Sequence, residues 1–141
     1  MRDEKGANRV EDDLMVADLL EEVLIRQGFD ICGIARSPQD AIAVAEQHEP
    51  ELAVVDVQLV GGLGTDVAPL LMARFNTGIL YTTGNANAVS TAAGHACLPK
   101  PFRLQDVASA LEVVARIIET GKAIPPFPEG LIVIWSQPVS R

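Results

Sequence analysis

The sequence predicts an α/β fold: a parallel sheet covered on both faces by helices. Three observations carry this. Short apolar runs recur as FDICGIA (29–35), ELAVVD (51–56) and GILYTT (78–83). Stretches of helical period separate them, and the runs at 51–56 and 78–83 end on polar residues, Asp56 and Thr83, with Lys100 closing a later, shorter run. Consecutive strands joined by helices run parallel, because a parallel pair needs a long crossover.

The elements follow in order. After a polar opening, Leu14, Ala17, Leu20, Leu24 and Ile25 recur at helical spacing up to Gly28, a natural helix stop. The strand 29–35 leads to Ser37, placed to cap a helix that starts at Pro38. Beyond ELAVVD, the glycines at 61, 62 and 64 read as a loop, and Thr65 or Asp66 can cap a helix through Arg74. GILYTT is the next strand. An alanine-rich stretch over 85–93 reads as a weak helix, 96–98 as a very short strand, and 104–120 as an amphipathic helix. The domain reading is one unit over 1–120, followed by a C-terminal extension over 121–141 with an extra strand at 131–135.

Bulk properties narrow the function. With 141 residues, 48% of them hydrophobic and 21% charged, the chain can bury one real core. Eleven basic residues against nineteen acidic ones leave a formal charge of −8, so no general field attracts nucleic acid, and direct nucleic-acid binding is not expected. Apolar runs fall far short of the roughly 20 residues a membrane helix needs, so no membrane insertion is expected. Cys32 and Cys97 lack metal-ligand spacing and no signal peptide precedes them, which suits a cytoplasmic location.

In such sheets a ligand site forms beyond the carboxyl ends of the strands. Asp56, Thr83 and Lys100 stand there, and the acidic run Glu11, Asp12, Asp13 stands where a first strand would end. A carboxylate can accept a phosphoryl group if the developing charge is neutralised. Three clustered carboxylates repel unless a cation joins them, and Mg²⁺ favours such oxygen ligands. Mg²⁺ (or Mn²⁺) with Lys100 balances the charges of Glu11, Asp12 and Asp56. The Thr83 hydroxyl and nearby N–H groups can take a phosphoryl oxygen, and Gly84 keeps space open beside it. Thr82 competes with Thr83, which the following glycine favours.

VEDD (10–13), LAVVD (52–56), TG (83–84) and KPF (100–102), in that order, resemble the signature of two-component response-regulator receiver domains over about residues 10–120. The resemblance implies a flavodoxin-like, doubly wound, five-stranded sheet of order 2-1-3-4-5. It makes Asp56 the phosphoacceptor, Asp12 a direct metal ligand, Glu11 a ligand through water and the Gln58 backbone carbonyl a further ligand. Thr83 becomes the switch hydroxyl, Lys100 the phosphate-binding cation and Lys100–Pro101 a candidate cis peptide. Gln58 and Asn85 stand where receivers tune the approach of hydrolytic water. The implied function is a signalling module with no effector domain of its own, not an enzyme beyond its own phosphoryl transfer and dephosphorylation. A sensor histidine kinase or phosphotransfer protein phosphorylates it, and it acts on an unidentified protein target or as a phosphate sink.

Departures qualify the resemblance. Residues 5–10, KGANRV, make a poor central strand, so either the first strand is atypical or another segment fills the sheet. The spare apolar run 131–135 is expected to pack on the domain, or on a second copy to make a homodimer. Cys97 replaces the aromatic usual three residues before the lysine, which puts ordinary Thr–Tyr switching in doubt. YTTG with LPKPF is partly similar to a subgroup of alternative receivers from alphaproteobacteria. Two other functions stand beside the main one: a degenerate receiver acting as a constitutive interaction or dimerisation module, and an aspartyl-phosphate phosphatase. The latter requires an acid where Gln58 stands. His48 and His95 are expected at the surface or in loops, and Cys97 as a small buried hydrophobe.

Overall fold

The structure is a computed structural model, which describes residues 5–10, 19, 21–22, 25–26, 28–35, 37–59, 61–89 and 92–134. Its elements are β1 (Lys5–Val10), β2 (Phe29–Ala35), α1 (Pro38–His48), β3 (Leu52–Asp56), β4 (Gln58–Leu59), β5 (Gly62–Leu63), α2 (Gly64–Phe75), β6 (Gly78–Thr83), a 3₁₀ turn (Ala86–Val89), β7 (Ala96–Pro99), α3 (Leu104–Thr120) and β8 (Ile132–Val133). Before β2, residues Leu19, Glu21, Glu22, Ile25 and Arg26 are also helical.

The main sheet has the order β2-β1-β3-β6-β7-β8, while β4 and β5 form a separate antiparallel hairpin. The first five strands of that order run parallel to their neighbours, and β8 pairs antiparallel with β7. Setting the hairpin aside, this is the doubly wound order 2-1-3-4-5 with a sixth strand at its edge.

The polar first strand forms, and it is central. Lys5–Val10 pairs with β2 on one side, and Ala7–Val10 with Leu52–Val55 on the other. Ladder bonds join main-chain groups whatever the side chains, so low apolar content does not prevent pairing. No other segment fills that central place: Ile132–Val133, from the spare apolar run, is an added strand at the far edge, beside β7. The register of β1 with β2 skips Cys32, a one-residue bulge between the Ala7–Ile31 and Asn8–Gly33 pairs.

Two apolar layers sandwich the sheet. Leu52 and Val54 of β3, Leu80 of β6, and Ala96 and Leu98 of β7 pack under Val107, Leu111 and Val114 of α3. The alternate residues Ala53, Val55, Ile79, Tyr81 and Cys97 face Ala41 and Ala45 of α1 and Val67, Ala68 and Leu71 of α2. Strand periodicity of two thus serves both faces at once, which is why these strands are apolar throughout.

Helix boundaries follow local chemistry, with some corrections to the sequence reading. The Ser37 side chain accepts the Asp40 N–H at 3.2 Å, and Pro38 opens α1. Neither Thr65 nor Asp66 caps α2. That helix begins earlier, at Gly64, with the extended Leu63 as N-cap and no side-chain cap bond. The expected loop glycines therefore divide, Gly62 joining the hairpin and Gly64 the helix. Among the described residues of the alanine-rich stretch at 85–93, Ala86–Val89 forms a short 3₁₀ turn where a helix was expected, and Asn85 turns the chain through its own side chain, which accepts the Asn87 N–H at 3.1 Å. Gly121 ends α3 with φ +78°, a left-handed conformation that favours glycine.

Candidate functional site at the carboxyl ends of the strands

Asp56 is the last residue of β3, and its side chain is only 6% exposed. A carboxylate this deep in the fold needs partners for both oxygens. Oδ1 accepts the Gln58 N–H at 3.0 Å, and Oδ2 pairs with Lys100 Nζ at 2.9 Å. The lysine side chain is 40% exposed, so the pair is buried at the acid and open to solvent at the base. That asymmetry leaves an approach for a reactant on the lysine side.

The backbone sets this geometry. The Val57 N–H donates to the Thr82 carbonyl at 3.0 Å, and the Lys100 N–H to the Thr83 carbonyl at 2.7 Å. The end of β6 thus ties Asp56 and Lys100 into one frame. The Lys100–Pro101 peptide is cis. Gly64 abuts the frame from below: a Cβ there would collide with the Asp56 carbonyl oxygen and lie 2.6 Å from Val55 Cγ1. Its N–H donates to the Val57 carbonyl at 2.8 Å, so α2 starts directly against the backbone of Asp56.

The two threonines divide by strand phase. Thr82 is the register partner of Asp56, while Thr83 shares the phase of Tyr81 on the opposite face. Both are buried. The Thr83 hydroxyl accepts the Asn85 N–H at 3.1 Å and donates to the Asn85 carbonyl at 3.2 Å, closing the turn after β6. Gly84 has open space where a Cβ would stand. Gln58 is exposed and opens the β4–β5 hairpin.

Glu11 and Asp12, the proposed metal ligands, lie outside the described residues, as does their neighbour Asp13. The strand they follow ends at Val10, the register partner of Val55, which brings the carboxyl end of β1 beside Asp56. Among the described residues no group of three or more His, Cys, Asp or Glu could hold a metal by itself. The described donors are nevertheless hard oxygens: a carboxylate has about four lone-pair sites, and two hydrogen bonds leave Asp56 room to bind a cation.

Sequence reasoning missed one buried group. Tyr81, in register with Cys97, is wholly buried and donates from its hydroxyl to the Ala93 carbonyl at 2.6 Å. Burial raises its pKa, and the nearby Cys97 raises it further. Cys97 is itself buried, its thiol pushed up to about 11 by desolvation. An aromatic is therefore present beside the Cys97 position, but on the neighbouring strand. The signal was the tyrosine in YTTG.

His95 lies in the loop before β7, one of the two places expected for it, but it is buried and not at the surface. It is only 3% exposed, and its Nδ1 accepts the Ile79 N–H at 2.9 Å. Burial lowers its pKa to about 4. Its N–H donates to the Ile79 carbonyl, and its carbonyl accepts the Ile134 N–H. His48 ends α1 and is exposed, as expected.

An α/β domain of this strand order, with a buried acid paired to a lysine at the carboxyl end of its sheet, defines a receiver-type module. The family model for the response regulator receiver domain matches residues 9–112, and the chain belongs to that family. It is 30% identical over 108 residues to the transcriptional regulatory protein PdtaR of Mycobacterium tuberculosis, covering 73% of this chain and 53% of that protein. It is also 30% identical over 130 residues to the photosynthetic apparatus regulatory protein RegA of Cereibacter sphaeroides, covering 89% of this chain and 70% of RegA. The chain thus spans about half the length of PdtaR. In fold it is similar to the receiver domain of the Erythrobacter litoralis response regulator PhyR, with TM-score 0.75 and 20% identity over 86% of this chain and 97% of that one. A CheY-like receiver protein from Methanospirillum hungatei gives TM-score 0.74 at 21% identity, over 84% and 99%. The chain is a receiver domain of the kind used in two-component signalling. Among the described residues no helix is long and apolar enough to cross a membrane.

Proposed function

We propose that the domain accepts a phosphoryl group on Asp56 and signals through protein–protein contact. The observation that carries this reading is the Asp56–Lys100 pair, buried at the carboxylate and open at the ammonium. A carboxylate oxygen of Asp56 attacks the phosphorus of a phosphohistidine or acyl phosphate. A new P–O bond forms and the donor's P–N or P–O bond breaks; the imidazole of a phosphohistidine leaves with a proton on its ring, whereas an acyl phosphate leaves as the carboxylate. Lys100 meets the charge on the transferred group, and the Thr83 hydroxyl turns from Asn85 to an added oxygen. Asp56, the Gln58 carbonyl, Asp12 and, through water, Glu11 would hold Mg²⁺, which would supply the remaining charge neutralisation when bound.

The donor is a sensor histidine kinase or a phosphotransfer protein. PdtaR and RegA are named as regulatory proteins, which favours a regulatory output over a simple phosphate sink. The test is incubation with acetyl phosphate and Mg²⁺, read by intact mass. The wild type should gain one phosphoryl group and Asp56→Asn none. A folded wild type that gains nothing contradicts the proposal and supports a constitutive interaction module instead. Exchange of Gln58 or Asn85 is expected to change the rate of phosphate release more than the apparent Mg²⁺ affinity; a release time course and a Mg²⁺ titration compare the two.

A further inference from the structure

After Gly121 the chain turns back over α3, where Ile124 and Pro126 line a groove with Val113 and Arg116. It forms no regular element until Ile132–Val133 pairs antiparallel with Cys97 and Ala96. The Ile134 N–H then donates to the His95 carbonyl at 3.0 Å. Leu131 packs half-buried against the layer under α3, and Ile134 against the opposite layer. The strap grips the edge of β7 with main-chain bonds and two aliphatic side chains, three residues apart, on opposite faces.

We propose that the outer edge of β7 is a strand-docking site, which the chain's own 131–134 segment fills as an internal ligand. Its partner is an extended peptide segment of another protein, with aliphatic residues three apart, that displaces the strap. The occupant already seated there defines that chemistry: edge pairing is supplied by any backbone, and selectivity comes from the two apolar layers against which Leu131 and Ile134 pack. Displacement is easy because β8 is only two residues long and Ile132 is exposed. Pro125, Pro126 and Pro128, upstream in the strap, have no N–H to anchor it.

The same edge is joined to the phosphoacceptor. β7 runs directly into Lys100, and a groove of about 560 Å³ has the Pro99 to Arg103 stretch on one wall and Glu129 and Gly130 on the other. A phosphoryl group on Asp56 lies farther out than the carboxylate, so Lys100 moves outward to follow it. That remodels the wall against the strap and loosens 131–134. This gating step rests on the function proposed above; the docking edge does not.

Hydrogen exchange on the full chain, with Mg²⁺ and with or without beryllofluoride as a phosphoryl stand-in, tests the gate. The Ile134 amide should exchange at least several-fold faster when beryllofluoride is bound. Unchanged or slower exchange at confirmed saturation overturns the gate, whereas failure of beryllofluoride to bind overturns the phosphoacceptor reading. The edge is tested separately with Ile134→Asp and Leu131→Ser and a labelled synthetic peptide of residues 129–136. At least one folded variant should bind the peptide at least tenfold more tightly than the resting wild type. No gain in either folded variant overturns the docking site. Concentration-dependent dimers in sedimentation, formed by the beryllofluoride-loaded chain or by either variant, would assign the edge to a second copy and overturn the partner proposed here.

Discussion

Two buried polar clusters lie at opposite ends of the same sheet, and they are satisfied in different ways. At the carboxyl end, Asp56 is ionic: a main-chain N–H takes one oxygen and Lys100 the other. At the other end His95 is neutral, its ring accepting from Ile79 and its backbone bonded to Ile79 of β6 and to Ile134, just past β8. A buried charge needs a partner that reaches solvent, and that opening is where a reactant can enter. A neutral hydrogen-bonded ring needs no opening, so the His95 end holds strands together. Chemistry and architecture are thereby separated along one set of strands.

The strongest way to break the ionic end leaves every charged group intact. Gly64→Ala drives a methyl group into the Asp56 carbonyl, which belongs to the backbone and cannot rotate aside. It should lower unfolding stability by about 3 kcal/mol in a urea titration, at the upper end of overpacking costs. Gly62→Ala, whose Cβ meets the Pro38 ring with Cγ at 2.9 Å and Cδ at 3.6 Å, should cost clearly less.

The neutral end breaks with acid. Burial holds the His95 pKa at about 4, against an ordinary 6.5. Between those values the unfolded chain binds a proton that the folded chain refuses, so stability rises with pH across this window and falls on acidification. The loss on going from pH 6.5 to 4 should be about 2.5 kcal/mol. His95→Gln should flatten the profile there; an unaltered slope would mean that other groups produce it.

Removing the ammonium at the ionic end should have the smallest effect on folding, because Lys100 is partly in water. Lys100→Met leaves Asp56 without this cation and should cost about 1 kcal/mol after allowance for solvent screening. In a double-mutant cycle with Asp56→Asn, most of that loss should disappear. A full loss in the double mutant would mean that Lys100 acts through packing alone.

Much of this arrangement was legible from residues. Leu52 to Asp56 and Gly78 to Thr83 read as buried strands because both faces are covered, leaving little alternation to confuse the period. Ser37 followed by Pro38 marked a helix start through chemistry that acts within one turn. The polar ends of β3 and β7 pointed to the Asp56–Lys100 pair, 44 residues apart in sequence.

What was hidden depends on contacts between distant segments. Lys5–Val10 is a central strand because its main chain has partners on both sides, which composition does not reveal. Gly64 looked like a loop residue; its true constraint is the neighbouring carbonyl of Asp56. The burial of His95, expected at the surface or in a loop, was hidden because its partner is a main-chain N–H on another strand. The Tyr81–Cys97 pairing also became visible only through the register between β6 and β7.

Phosphoryl transfer to Asp56 is the activity proposed for the ionic end. The most direct measurement is borohydride trapping after incubation with acetyl phosphate and Mg²⁺, followed by peptide sequencing in a mass spectrometer. Reduction of an aspartyl phosphate leaves homoserine, and the account predicts it at position 56. Homoserine at another aspartate, or none from a folded chain under conditions that label a known receiver, would contradict it.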